Sequence, residues 1–399
     1  GTNRQSSGLI PWLKIFNDTL VGVNQGGKRK GAGCAYLEVW HIDVEDFLDL
    51  RKNTGDDRRR CHDMNTALWV CDEFMKASKK DDDWYLFDPS EFPSLHETYG
   101  NEFSKEYRKA KRMAKEGKVK SFRVVSAKEL WKKMLKSLYE TGHPWVTFKD
   151  PSNIRYSNKH EGVVHSSNLC TEILLHTKPT KYEDGEVIET GETAVCNLAS
   201  VNLESHIKVR TLDWKKLQET VEVAVRGLDN VIDINFYPTK EARSSNLRHR
   251  PVGLGIMGTH GMLHKLGIPY DSEEAVSLCD KIQEYISYHA ILTSSKLAKE
   301  RGAYESYAHS EWSYGNLPID TYCRVMSSRD NAEYSALDFE TMDWQKVRDH
   351  IAENGMRNSN VMAIAPTATI SYIQGCSQSI EPDYSVLFVY STLSGEFTM

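Results

Sequence analysis

The residues best suited to chemistry lie in one short string, Ser167-Asn168-Leu169-Cys170-Thr171-Glu172-Ile173. An extended backbone puts alternate side chains on one face, so Asn168, Cys170 and Glu172 are expected to form a row of amide, thiol and carboxylate. An amide beside a carboxylate can grip a pair of hydroxyls, and the carboxylate can take a proton from one of them. The thiol between them suits a nucleophile, a reductant or a hydrogen-atom carrier. An edge strand with one buried cysteine has the same spacing, and spacing alone leaves both readings open.

Three further strings carry reactive or anion-binding types. Cys196 stands in Ala194-Val195-Cys196-Asn197-Leu198. If the acidic stretch 182–192 is a turn, the chain returns to set Cys196 near Cys170, and two thiols in one pocket suggest redox chemistry. The alternative is a core cysteine with apolar flanks. Pro366-Thr367-Ala368-Thr369-Ile370-Ser371 follows the apolar run 361–364. A strand leading through small hydroxylated residues into a helix offers backbone N–H groups to an anion, though a plain helix cap reads the same way. Gln25-Gly26-Gly27-Lys28-Arg29-Lys30 opens a basic glycine-rich loop that fits neither the Walker pattern nor the dinucleotide fingerprint. It suits contact with a phosphate or a solvated turn. The polar run 375–382 suggests no chemistry of its own.

Helices and strands must position these residues. Apolar spacing predicts helices over 128–141, 213–233 and 273–301, the first closed by Gly142 and the last opened by Ser272 and stopped by Gly302. The alternating charges of 105–120 read as a solvated helix face. Strand-like segments occupy 35–39, 145–147, 163–167, 252–257 and 361–364. Helices alternating with short strands predict βαβ units and an α/β fold. The acidic stretch 182–192, with Asp184–Gly185 inside it, reads as an exposed turn or a hairpin tip.

Composition narrows the class. The formal charge of −6 gives no reason to expect nucleic acid or an anionic membrane as partner. No apolar run approaches the length of a membrane span, and no secretory signal opens the chain. The eight cysteines include no Cys-x-x-Cys, so neither a zinc template nor a disulfide scaffold is expected. No bound metal and a reducing, cytoplasmic setting are the natural expectations.

Taken in order, the strings QGGKRKGAG, YLEVWHIDVEDFLDLRKNTG, ALWV, SNLCTEI, AVCNLASVNL, RHRPVGLGIMG, GMRNSN, PTATIS, SIEP and LSGEF resemble the catalytic (large, α) subunit of class I ribonucleotide reductase. The resemblance runs through almost the whole chain. It implies a ten-stranded α/β barrel built from two five-stranded halves, with Cys170 on a central finger loop and residues 1–399 forming one partial barrel domain. It implies that Cys170 becomes a transient thiyl radical, that Glu172 takes the 3′-hydroxyl proton, and that Asn168 holds the substrate hydroxyls. Cys196 would be one of two reducing thiols. Leu169 would join Asn168, Cys170 and Glu172 in lining the substrate, and Thr367, Ala368, Thr369 and Ile370 would cradle its diphosphate. Residues Gln25, Gly26, Gly27, Lys28, Arg29 and Lys30 would carry the message of an ATP or dNTP effector.

The implied partners are nucleoside diphosphates, a metal-containing small (β) subunit that supplies the radical, a thioredoxin- or glutaredoxin-type reductant, and either a second copy or a complementing α fragment. Family subunits are much longer. An ATP cone, the strand bearing the other reducing cysteine, the radical-relaying tyrosine pair and a C-terminal cysteine pair have no counterpart here. A split or intein-interrupted subunit, or a truncated piece, is therefore expected. A cobalamin-dependent reductase uses a similar finger, but usually resembling Asn-Pro-Cys-Gly-Glu, and Leu169 and Thr171 favour class I. A non-catalytic nucleotide-binding or assembly module is the alternative from another class.

Overall fold

The computed structural model describes residues 7–23, 30–330, 332–385, 387–392 and 395–398. The chain divides into two units, one of residues 1–154 with 163–174 and the other of residues 155–162 with 175–399.

In the first unit, α1 (Ile10–Gly22) precedes β1 (Cys34–Glu38), α2 (Val44–Leu48), β2 (Asn65–Val70) and α3 (Asp72–Lys80). Then come β3 (Asp83–Phe87), α4 (Ser94–Glu97), α5 (Gly100–Lys115), β4 (Phe122–Ser126), α6 (Ala127–Thr141), β5 (Trp145–Phe148) and α7 (Lys149–Ile154). Strands β1, β2 and β5 form a parallel sheet with β2 in the middle, and β3 pairs antiparallel with β4. A central parallel strand is covered on both faces, so β2 carries a continuous apolar run from Ala67 to Val70, all of it buried. Helix α6 runs from a Ser126 side chain that accepts the Glu129 N–H to Gly142 in the left-handed conformation, and it buries Leu130 and Met134. As far as Lys115 the basic stretch is the outer face of α5, which turns Phe103, Tyr107, Ala110 and Ala114 inward, and residues 116–120 lie beyond the helix end.

In the second unit, β6 (Lys181–Glu183) and β7 (Glu186–Glu189) form the expected hairpin. Asp184 and Gly185 both take positive φ, 49° and 86°, as a two-residue hairpin turn requires. After β8 (Asn197–Asn202), β9 (Ile207–Lys208) and β10 (Thr211–Leu212) come α8 (Trp214–Ile234), α9 (Lys240–His249), β11 (Val252–Met257) and α10 (Thr259–Leu266). Helices α11 (Glu273–Arg301), α12 (Pro318–Asp330), α13 (Trp344–Asn354) and α14 (Ile370–Gln374) precede β12 (Val389–Thr392) and β13 (Gly395–Thr398). Strands β8 and β11 pair in parallel from Asn197 opposite Val252 to Asn202 opposite Met257. Helix α8 packs on both strands and on α11, burying Leu217, Val221, Val225, Leu228 and Ile232 along one stripe. No helix among the described residues is long and apolar enough to cross a membrane.

Mixed α/β content matches the expectation, but the described residues form no closed barrel, and their largest sheet has three strands. Two expected strands also fail to form. Residues 163–167 are irregular because the buried side-chain amide of Asn153 takes both backbone groups of Val164, accepting its N–H at 2.8 Å and donating to its carbonyl at 3.0 Å. Residues 361–364 make a single parallel bridge, Met362 with Leu254, before Pro366 and a left-handed Thr367 turn the chain away.

Candidate active site

The row predicted over Asn168, Cys170 and Glu172 is instead a turn. The Thr171 N–H returns to the Asn168 carbonyl at 3.4 Å, and Thr171 lies in the left-handed region with φ of 71°. That conformation costs a β-branched residue roughly 1–2 kcal/mol, so surrounding bonds must hold it. The Asn168 side-chain oxygen accepts the Ile173 N–H at 3.2 Å, and the Ser167 hydroxyl donates to the Ile173 carbonyl, pinching the loop at its base. From β1, the Tyr36 hydroxyl donates to the Asn168 carbonyl at 2.8 Å. The tip thus presents Cys170 to solvent, with Glu172 half-buried behind it.

The electrostatics weaken the nucleophile reading of the thiol and leave the other two roles open. Burial pushes the Cys170 thiol up, and the nearby Glu172 carboxylate pushes it further. A thiol held protonated is a poor thiolate nucleophile and keeps the S–H bond that a hydrogen-atom carrier needs. Glu172 Oε2 is buried without a hydrogen-bond partner among the described residues, an arrangement that costs free energy until a donor arrives. Cys34 and Tyr36 on β1 also face this loop. Burial raises both groups, the Cys34 thiol to about 12, with the charge of Cys170 adding to it. Sequence reasoning gives Tyr36 no role of its own: it lies on the predicted strand 35–39 and opens the string YLEVWHIDVEDFLDLRKNTG.

Cys196 belongs to the second unit, half-buried just before β8. A Cβ on Gly253 of β11 would lie 2.6 Å from Leu198 Cδ2, 2.8 Å from Ala363 Cβ and 3.4 Å from Cys196 Sγ, so glycine there makes room beside the thiol. The Thr367 turn is as constrained as the Cys170 loop, with φ of 56°. Thr367 accepts the Ser371 N–H on its carbonyl at 3.0 Å and the Ser379 N–H on its hydroxyl at 2.8 Å. The N–H groups of Ala368, Thr369 and Ile370 have no acceptor among the described residues, and the buried Ser371 hydroxyl has no partner. Unsatisfied donors gathered on one turn suit an anion. The polar run 375–382, unexplained by sequence, holds this turn: Ser377 also bonds to Gly258 and Glu204. Of the basic loop, residues Gln25, Gly26, Gly27, Lys28 and Arg29 lie outside the described residues, and Lys30 is exposed.

The sequence profile of the ribonucleotide reductase barrel domain matches the chain over residues 1–399. The chain belongs to that family. It is 56% identical over 399 residues to the ribonucleoside-diphosphate reductase subunit alpha of Chlamydia pneumoniae, covering 100% of this chain and 37% of the relative. It is 42% identical over 443 residues to the subunit alpha of Helicobacter pylori, covering 99% of this chain and 54% of the relative. The large subunit of Arabidopsis thaliana is 42% identical over 420 residues, covering 100% of this chain and 48% of the relative. The chain spans 37–54% of the length of these relatives.

In this ribonucleotide reductase chain, a buried ionic network anchors the segment leading to Cys196. Glu192 Oε2 accepts from His176 Nε2 at 2.8 Å and His249 Nε2 at 2.9 Å, and Oε1 accepts from Arg248 at 2.8 Å. His176 Nδ1 lies 2.7 Å from the Tyr156 hydroxyl and His249 Nδ1 lies 2.6 Å from that of Ser306. Two neutral imidazoles protonated at Nε2 satisfy every one of these bonds. Burial holds His176 below the usual imidazole range. Despite its burial, Glu192 is held far below the usual carboxylate range by its three donors. The Glu192 backbone exchanges both hydrogen bonds with Lys178, at 2.9 and 3.0 Å, closing the base of the hairpin.

Proposed function

We propose that this chain is the catalytic portion of a class I ribonucleoside-diphosphate reductase, working in the cytoplasm on DNA precursors. Its barrel domain, residues 1–399, makes up most of a ten-stranded barrel that the rest of the α subunit completes. Asn168 and Glu172 hold the ribose hydroxyls. A thiyl radical at Cys170 takes the 3′ hydrogen atom while Glu172 takes the 3′-hydroxyl proton, and the 2′-hydroxyl leaves as water. Two thiols, Cys196 and a partner cysteine from elsewhere in the subunit, supply two electrons and two protons and end as a disulfide. Cys170 then returns the hydrogen atom to the 3′ carbon of the product radical, which regenerates the thiyl radical. The backbone N–H groups from Thr367 to Ile370 receive the diphosphate, and residues 25–30 relay the nucleotide effector.

A metal-containing small subunit supplies the radical when bound, and a thioredoxin- or glutaredoxin-type protein reduces the disulfide. The observation that carries this reading is the unpartnered buried oxygen of Glu172 beside a Cys170 thiol held protonated.

The test is reduction of CDP with dithiothreitol and effector. It compares this chain alone, with a class I small subunit, and with both that subunit and a complementing α fragment. Turnover in the full mixture is expected, and its loss in Cys170→Ser with nucleotide binding retained. Glu172→Gln should cost about 10²–10⁴ in rate, the usual contribution of a positioned base. A loss below tenfold would remove Glu172 from that role. Turnover with adenosylcobalamin and no small subunit would overturn the class assignment.

A further inference from the structure

We propose that His96, Glu97 and His165 bind a divalent transition-metal cation of the zinc class, at the stem of the loop that carries Cys170. One ligand atom of each residue lies within 4.8 Å of those of the other two. His165 Nε2 stands 3.2 Å from Glu97 Oε2. With metal–ligand bonds of about 2.0–2.1 Å, ligands on one edge of a tetrahedral site are about 3.3 Å apart, so this pair is already at coordinating separation.

The third ligand is oriented from behind. His96 Nδ1 lies 3.0 Å from Glu38 Oε1. Glu38 is buried and fixed in turn by the Trp40 indole at 2.6 Å and by the buried Lys149 ammonium, 2.9 Å from each of its oxygens. A carboxylate that takes the proton of one imidazole nitrogen leaves the lone pair of the other free for a metal, the usual support behind a ligating histidine. The His96 and His165 rings lie face to face, with centroids 4.0 Å apart and planes 11° from parallel. Neither His96 Nε2 nor Glu97 Oε1 has a partner among the described residues. Glu97 is exposed, with 61% of its side chain accessible, which leaves a fourth position for water.

The comparison with Glu161, His176 and His249 is instructive, because that trio meets the same distance criterion. There both imidazoles donate through Nε2 to Glu192 and are bonded through Nδ1 to hydroxyls, so no lone pair is left to coordinate. At His96 the Nε2 lone pair is available, and at His165 the Nε2 proton is shared with Glu97 alone and is the one a bound cation displaces. Two ligands sit at the C-terminal end of α4, and the third arrives 68 residues later from the stem of the loop. Templates of closely spaced Cys and His therefore do not find this site. A cation there cross-links α4 to the segment entering the Asn168 turn, whatever reaction the loop performs.

The full chain, stripped with EDTA, is titrated with Co²⁺ and then competed with Zn²⁺. One equivalent of Co²⁺ should develop the visible ligand-field bands of a low-coordinate nitrogen–oxygen site, without the near-ultraviolet band of thiolate ligation, and Zn²⁺ should bleach them. His165→Ala and Glu97→Gln, which change partly or wholly exposed groups, should each weaken binding at least tenfold with circular dichroism unchanged. His264→Ala, exposed on another element, should leave it intact. No saturable binding, a thiolate spectrum, or affinity within twofold of the parent in both variants would overturn the site.

Discussion

Glu192→Gln removes one charge from the buried network at almost constant shape, and its cost follows from the contacts. The carboxylate receives hydrogen bonds from His176, His249 and Arg248, with Lys178 3.9 Å away. The amide offers one acceptor where there were two and turns an NH₂ toward a donor. Breaking a buried ion pair costs about 3–5 kcal/mol, and the lower end applies because Arg248 retains Glu161 at 2.8 Å. For a folding unit of this size about 3 kcal/mol corresponds to about 6–12 °C in melting temperature. The assay is the melt of parent and variant, followed by near-ultraviolet circular dichroism, at a series of pH values.

The pH series separates charge from packing. His176 is depressed in the folded protein, so its contribution is fully present above the unfolded value of about 6.5 and drains as pH falls toward the folded value, at up to about 1.4 kcal/mol per pH unit. Glu192 is depressed too, so its contribution is present above the unfolded value of about 4.3 and is lost below it. The gap between parent and variant should therefore hold from neutral pH to about pH 4.5 and close in stronger acid. A gap below about 2 °C at pH 7.5, or one that persists undiminished at pH 3.5, would refute the charge-based account.

Tyr36→Phe deletes the hydroxyl that holds the Asn168 carbonyl. One hydrogen bond is worth about 1 kcal/mol of stability, so the melting temperature should fall by about 2–4 °C and turnover of the assembled reductase by up to about fivefold. Unaltered turnover would show that the pinch between Ser167 and Ile173 suffices. Gly253→Ala forces a methyl against Leu198 and Ala363 and should cost about 1–3 kcal/mol, read as a lower urea midpoint at constant slope. An unchanged midpoint would contradict the close packing of β11 beside Cys196.

Local signals were legible and long-range ones were not. Helix α11 begins and ends where Ser272 and Gly302 say it should, because capping is settled within four residues of the end. Strand β11 matches its apolar run because both of its faces are covered. Residues 163–167 looked equally strand-like, yet their partner is the side chain of Asn153, which no periodicity announces. The identities of Asn168, Cys170 and Glu172 were readable, but their presentation was not. The left-handed Thr171 goes against its own propensity and is held by Tyr36 from a distant strand. Thr367 is the same case, stabilised by Ser379 from a polar run that by itself suggested no role. In both loops a strained threonine marks the place where local preference yields to the site.

The hairpin of β6 and β7 is an excursion whose footing is complete without its tip. Every residue from 181 to 190 is exposed, while Lys178 and Glu192 pair beneath it and Thr180 bonds to Gly191 and Glu241. Cutting the chain between Asp184 and Gly185 severs a covalent path but none of these bonds. This peptide bond is thus a natural position for new termini in a circularly permuted protein, or for grafting an epitope, with both ends anchored by the Glu192 network.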